Sequence, residues 1–150
     1  MKHSKTAIGH LGKHYERGKD ESSEYVKFGN PEIDPQRTHL NYNLAPQHNH
    51  MEFIKQRLSE VYCLNRKDVN LMCSWVVTAP KDLDPKQQDD FFKESYKFLE
   101  NRYGKENVIS SYVHLDETTP HMHFAFIPVV YDKKKDRYKV SAKELSLIHI

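Results

Sequence analysis

Apolar positions along this chain change period several times, and each change marks an element. Met51, Ile54, Leu58 and Val61 recur at spacings of three and four, which places them on one face of a helix predicted from about His50 to Tyr62. Val69 to Thr78 is instead β-rich, with Leu71, Cys73, Trp75, Val76 and Val77, and stops before Ala79-Pro80; it predicts a buried central strand. Asp84-Pro85-Lys86-Gln87 carries a helix start: an acid that can accept the first free amides, a proline suited to the first helical position, and a glutamine three residues after the cap. That helix is predicted to run to Tyr103-Gly104 and to bury Phe91, Phe92, Tyr96 and Leu99. Val108 to His114 and His121 to Tyr131 predict two strands joined by a loop, and Arg137 to Val140 is expected to pair back across Asp132-Lys133-Lys134-Lys135-Asp136, a hairpin tip. Upstream, Arg37 to Leu44 alternates well enough for a strand, closed by Ala45-Pro46.

The order β, α, β, α, β, β predicts an α+β fold with one mixed or antiparallel sheet. Both helices are expected on one face, since each has a single apolar stripe to bury, which leaves the other face for a site. The first 35 residues, dotted with Gly9, Gly12, Gly18 and Gly29, hold neither period for more than a few residues. They predict an irregular region with one short helical stretch, available to cover that site.

Composition narrows the class. A chain of 150 residues, 37% apolar and 29% charged, has material for one domain and one core. No apolar run reaches the length of a signal peptide core or a membrane span, so the expectation is a cytoplasmic protein with no membrane partner. Cys63 and Cys73 stand ten apart, without the C-x-x-C spacing of a zinc or redox site, and read as reduced thiols. The net charge of +2 neither demands nor forbids nucleic acid; a DNA-binding surface has to come from local clustering.

The sharpest chemical signal is His114-Leu115-Asp116-Glu117-Thr118-Thr119-Pro120-His121-Met122-His123. Residues two apart on a strand project to one face, so His121 and His123 present paired imidazoles while Met122 and Phe124 point into the core. His114 closes the preceding strand and reaches the same spot if the two strands are neighbours. Three neutral nitrogen ligands leave coordination positions open, the arrangement of a catalytic metal; zinc, manganese, iron, nickel and copper all accept such ligands.

This segment resembles the His-Leu-Asp-Glu-x-Thr-Pro-His-x-His signature of the MobV (Mob/Pre, plasmid recombination enzyme) relaxases, a branch of the HUH class. Arg37-Thr38-His39-Leu40-Asn41-Tyr42 resembles the family's Ser/Thr-His-Leu-Asn-Tyr motif, and His14-Tyr15-Glu16-Arg17 its N-terminal His-Asn-x-Arg motif, with Tyr15 standing where asparagine is usual. The similarity extends over roughly residues 7 to 145. It implies a metal-dependent, strand-specific DNA nicking enzyme working by transesterification and leaving a covalent 5′-phosphohistidine. His114, His121 and His123 would hold one divalent ion, manganese or magnesium with zinc still open. His14 would be the nucleophile and Glu117 the acid that orients or deprotonates it. Arg17, Arg37, His39, Asn41 and Arg66 would contact DNA or support the site; His39 and Asn41 are expected on one face of a strand, and Arg17 on phosphate. Arg57 and the Lys133-Lys134-Lys135 tip are further candidates to track the DNA backbone. The implied partner is plasmid origin-of-transfer DNA, single-stranded or supercoiled, and a homodimer is expected only through a C-terminal region absent from this sequence. The catalytic domain is expected over 1–145. Ser146 to Ile150 does not continue the family pattern and reads as a truncated or foreign tail.

Without the resemblance, the same ligands also suit a three-histidine hydrolase or oxygenase acting on a small molecule, or a DNA-binding module without catalysis. The extended polar N-terminal arm and dispersed basic residues fit a long polymer better than an enclosed substrate.

Overall fold

A five-stranded sheet organises the molecule: β1 (Lys2–Ser4), β2 (Tyr42–Asn43), β3 (Asn70–Thr78), β4 (Val108–His114) and β5 (His121–Phe126) lie in the order β1-β3-β5-β4-β2 with every neighbouring pair antiparallel. The computed structural model describes residues 2–4, 8, 11, 15–17, 33–66 and 68–148. Helix α1 spans His50–Glu60, α2 Gln88–Tyr103 and α3 Ala142–Ile148, while β6 (Val129–Asp132) and β7 (Arg137–Val140) form a separate two-stranded ribbon.

Local chemistry sets the helix ends. The Asn49 side chain accepts from the Glu52 amide at 3.0 Å and starts α1. Asp84 accepts from the Lys86 amide at 2.9 Å, Pro85–Gln87 form a 3-10 turn, and α2 follows with Asp89 and Asp90 in its first turn, where acids complement the helix dipole. α2 stops at Gly104, whose φ of +94° a side chain would rarely adopt; a Cβ there would stand 2.9 Å from Glu106 Oε1.

The sheet is antiparallel and the class α+β, as the element order implies, but the helices do not share a face. Met122, Phe124 and Phe126 of β5 join Val113 and Cys73 beneath Phe92, Leu99 and Tyr103 of α2. Ala125, with Tyr112, Ile109 and Ile127, packs against Ile54 of α1 and against Ile8 and Tyr15. The reason lies in β5 itself: its histidines take up only one end of their face, and the end near Ala125 remains apolar and requires cover. One helix is recruited to each side.

Three further expectations change. Arg37 to Leu44 is not a continuous strand: Thr38–Leu40 is a 3-10 turn and only Tyr42–Asn43 pairs, with β4. The alternation there is overridden by tertiary bonds from Thr38 and Asn41 to the 114–117 segment. The strand expected over His121 to Tyr131 breaks after Phe126 at Ile127-Pro128, where proline has no amide for the ladder. Finally, β5 rather than β3 is central, and β1 is too short for any periodicity to have announced it. The boundary expected at residue 145 falls inside α3, which continues through Ser146 and an exposed Leu147. No described helix is long and apolar enough to cross a membrane.

Candidate metal centre

Register brings the three histidines together. His114, the last residue of β4, pairs directly with His121, the first of β5, and His123 pairs with Tyr112 two positions along. All three rings therefore project from one face. Ring centroids are 5.3 Å apart for His114–His121 and 4.8 Å for each of the other two pairs. One ligand atom from each lies within 4.8 Å of the others, the only such group of histidine, cysteine and acidic residues among the described residues. His114 is fully buried, and His121 and His123 are partly buried.

The rings are oriented from behind. His121 Nδ1 donates to the Thr119 carbonyl at 2.9 Å, and its Nε2 stands 3.1 Å from Glu117 Oε2. A lone pair facing a carboxylate is repulsive unless a proton or a cation stands between them. His114 Nε2 donates to the Tyr15 carbonyl at 2.7 Å, and its Nδ1 accepts from Arg17 Nη2 at 3.2 Å. Burial drives the His114 pKa down to about 3, the Arg17 charge pushes in the same direction, and the Tyr15 bond only partly opposes them. This imidazole is held neutral, the form in which histidine binds metal. His123 stacks on the Tyr15 ring at 4.6 Å and 24°. Imidazoles whose second nitrogen is anchored on a carbonyl, with a carboxylate alongside, suit a divalent first-row cation. Loading His114 would require Arg17 or the Tyr15 carbonyl to yield one ring nitrogen.

Arg17 ties the N-terminal region to this cluster. Its φ of +55° is unusual for a side-chain-bearing residue. The guanidinium is buried and bonds both oxygens of Asp116, Nε to Oδ2 at 3.0 Å and Nη2 to Oδ1 at 3.1 Å, with Nη2 also 2.9 Å from Glu117 Oε1. Asp116 takes a third bond from Thr38 Oγ1 at 2.9 Å. Burial opposes ionisation of Asp116, but the bonds from Arg17 and Thr38 outweigh it and hold the carboxyl at about 2. Asn41 Oδ1 accepts from the Leu115 amide at 2.7 Å and pins the start of the same loop.

Of the residues singled out by sequence, the structure thus assembles His114, His121, His123, Glu117, Arg17 and Asn41. Arg17 faces the two carboxylates rather than solvent. His39 is exposed in the 3-10 turn and does not share a strand face with Asn41; Arg37 is exposed just before that turn. Arg66 is exposed, 3.9 Å from Asp68, and precedes β3 at the end of the sheet remote from the histidines. His14 lies outside the described residues. Sequence reasoning gave no role to Asp116 or Thr38, and noted Tyr15 only for standing where asparagine is usual. Asp116 and Thr38 sit inside the motifs already quoted, but nothing local marks which motif polar residue turns inward. It also passed over Glu16, whose carboxylate takes the Tyr112 hydroxyl at 3.1 Å and stands 3.4 Å from His50 Nε2.

Comparison with known proteins bears on this site. The family described as plasmid recombination enzyme matches residues 1–150. The chain is 38% identical over 130 residues to a plasmid recombination enzyme type 1 of Staphylococcus aureus, a match covering 81% of this chain and 31% of the relative. It is 34% identical over 157 residues to a plasmid recombination enzyme of Streptococcus agalactiae, covering 96% and 31%. Among solved structures, the manganese-bound MobM relaxase domain on oriT DNA of plasmid pMV158 at pH 6.8 superposes with a TM-score of 0.78 at 32% identity, covering 97% of this chain and 73% of that one. A manganese-bound structure of the same domain at pH 4.6 gives 0.76 at 32% identity, with 100% and 78% covered. The chain spans about a third of the length of the curated relatives it matches.

Proposed function

This chain belongs to the plasmid recombination enzyme family, and from that premise we propose that it carries the DNA-nicking centre of a relaxase acting on plasmid origin-of-transfer DNA in the cytoplasm. The observation that carries this reading is the paired register of β4 and β5, which puts three histidines on one face with Glu117 at 3.1 Å from one of them.

His114, His121 and His123 would hold a divalent cation, manganese being the ion in the MobM structures, and that ion would supply positive charge to offset the charge that develops on the scissile phosphate. His14 attacks phosphorus through a ring nitrogen, the bond from phosphorus to the 3′ oxygen breaks, and the 3′ end leaves as a hydroxyl after taking a proton from water. The 5′ phosphate stays on His14 through a phosphorus–nitrogen bond. Glu117 accepts the other ring proton of His14. Arg17 holds Glu117 in place, and Tyr15, bonded in sequence to His14, contributes its carbonyl to His114 and its ring to His123. Tyr15 itself is a poor nucleophile: burial raises its phenol pKa, only partly offset by a bond with Ser74. His114, neutral well below pH 6.5, is in keeping with a manganese-bound MobM structure at pH 4.6.

A small-molecule enzyme at this centre is not favoured. An apolar cavity of about 630 Å³ lined by Trp75, Phe91, Phe98 and Leu99 lies against α2, on the sheet face opposite the histidines.

The test is nicking of supercoiled plasmid bearing the cognate origin, after chelation and again with manganese restored. Strand-specific, metal-dependent nicking with protein left on the 5′ end is expected. Origin binding without nicking under every metal condition would instead favour a DNA-binding module.

A further inference from the structure

We propose that the β6–β7 ribbon is a second DNA-contacting element, one that stacks unpaired bases of a single strand on exposed tyrosines away from the metal centre. The inference rests on the relaxase reading above and adds to it a site for the strand beyond the scissile phosphate.

Two observations converge on the ribbon. The first is charge. Residues 131–139 hold five lysines and arginines against Asp132 and Asp136, a net +3 where the whole chain carries +2. Lys139 is engaged by Asp132 at 3.3 Å and Glu144 at 2.8 Å, but Lys133, Lys134 and Lys135 form the exposed tip. The second is aromatic exposure. Tyr131 and Tyr138 pair directly across the ribbon, with ring centroids 5.3 Å apart, and are 47% and 57% exposed. Tyr131 is further held by a hydroxyl bond to Asp136. Against the ribbon's edge, Tyr62 is bridged to Lys139 and carries the Arg137 guanidinium 3.7 Å above its ring.

A hairpin tip serving only to reverse the chain has no use for large exposed rings. Rings fixed by a strand pair and flanked by lysines are the composition that binds single strands, where bases stack and phosphates meet cations.

Position fits the same partner. The ribbon leaves the sheet after Phe126, at the end of β5 opposite His121. Five strand steps at about 3.3 Å put roughly 17 Å between the two ends, a distance that a short stretch of extended single strand crosses. A strand cut at the histidines can reach the ribbon.

The probe is the single strand dT25, carrying one 5-iododeoxyuridine for photocrosslinking, with a 25-base-pair duplex in parallel. Crosslinks on Tyr131 or Tyr138 are expected. Tyr131→Leu/Tyr138→Leu should weaken dT25 binding about ten-fold or more, with little change on duplex. Replacing Lys133, Lys134 and Lys135 by Gln should lower the slope of log affinity against log salt by about 2. Manganese affinity and thermal midpoint should match the parent protein in both variants. Single-strand affinity within two-fold of the parent in the tyrosine variant, or an equal loss on duplex, overturns the proposal. Should the parent bind dT25 and nick its origin while the variants do so equally well, the ribbon assignment alone falls; if the parent neither binds nor nicks, the relaxase reading falls with it.

Discussion

Asp116→Asn is the most informative single substitution. Asp116 is fully buried and accepts three hydrogen bonds: Oδ1 from Arg17 Nη2, Oδ2 from Arg17 Nε and Thr38 Oγ1. Asparagine keeps the shape but replaces one acceptor with an amide that donates. Whichever way it turns, a donor meets a donor, and the Arg17 charge, its side chain 3% exposed, loses its counter-charge in a buried setting. Removing one partner of a buried ion pair typically costs about 3–5 kcal/mol. Glu117 still accepts from Arg17 at 2.9 Å, so the lower end, about 3 kcal/mol, is expected. Chemical denaturation of both proteins without metal at pH 7 measures it. The pH dependence has a definite sign. The folded carboxyl at about 2 lies below its ordinary value of 3.8, so its contribution is complete above about pH 5 and fades as pH falls toward 2. The gap between parent and variant should be flat from pH 8 to 5 and shrink below 4. A gap under about 1 kcal/mol at neutral pH, or one that widens on acidification, would refute the reasoning. A double-mutant cycle with Arg17→Met then isolates the pair, since the two residues touch and their effects should not add.

Other predictions follow from the same geometry. His121→Ala and His123→Ala should each abolish manganese binding measured by calorimetry while keeping the far-ultraviolet circular dichroism of the parent, because neither ring belongs to the apolar core; tight manganese binding by either variant would contradict the ligand set. In the metal-free protein the His114 ring should stay neutral as pH falls from 7 to 5 in ring-nitrogen NMR, and protonation near 6.5 would count against burial as the controlling force. Its depressed pKa also means that folding stability linked to this ring is present above pH 6.5 and is lost between 6.5 and about 3. The covalent DNA complex should be labile in mild acid, absent in His14→Ala and retained in Tyr15→Phe, whereas an acid-stable adduct lost in Tyr15→Phe would transfer the nucleophile to the tyrosine.

Short-range interactions were open to reading from sequence because their partners lie within a few residues. The Asp84-Pro85 start of α2, the three-and-four spacing of α1, the lysine-rich turn of the ribbon and the alternation that sends His121 and His123 one way and Met122 and Phe124 the other are all of this kind. The histidine cluster was legible for the same reason: ten residues hold all three histidines. What tertiary structure alone decided depends on partners far apart in the chain. Arg17 and Asp116 are 99 residues apart and Thr38 and Asp116 are 78 apart, and no periodicity connects them. Burial turned Arg17 from an expected phosphate contact into the counter-ion of two carboxylates, and bonds across the fold turned an alternating segment at Arg37–Leu44 into a tight turn. The distribution of helices over both sheet faces was likewise settled by which end of β5 remained apolar once its histidines were grouped, a balance of burial over the whole sheet that no local window contains.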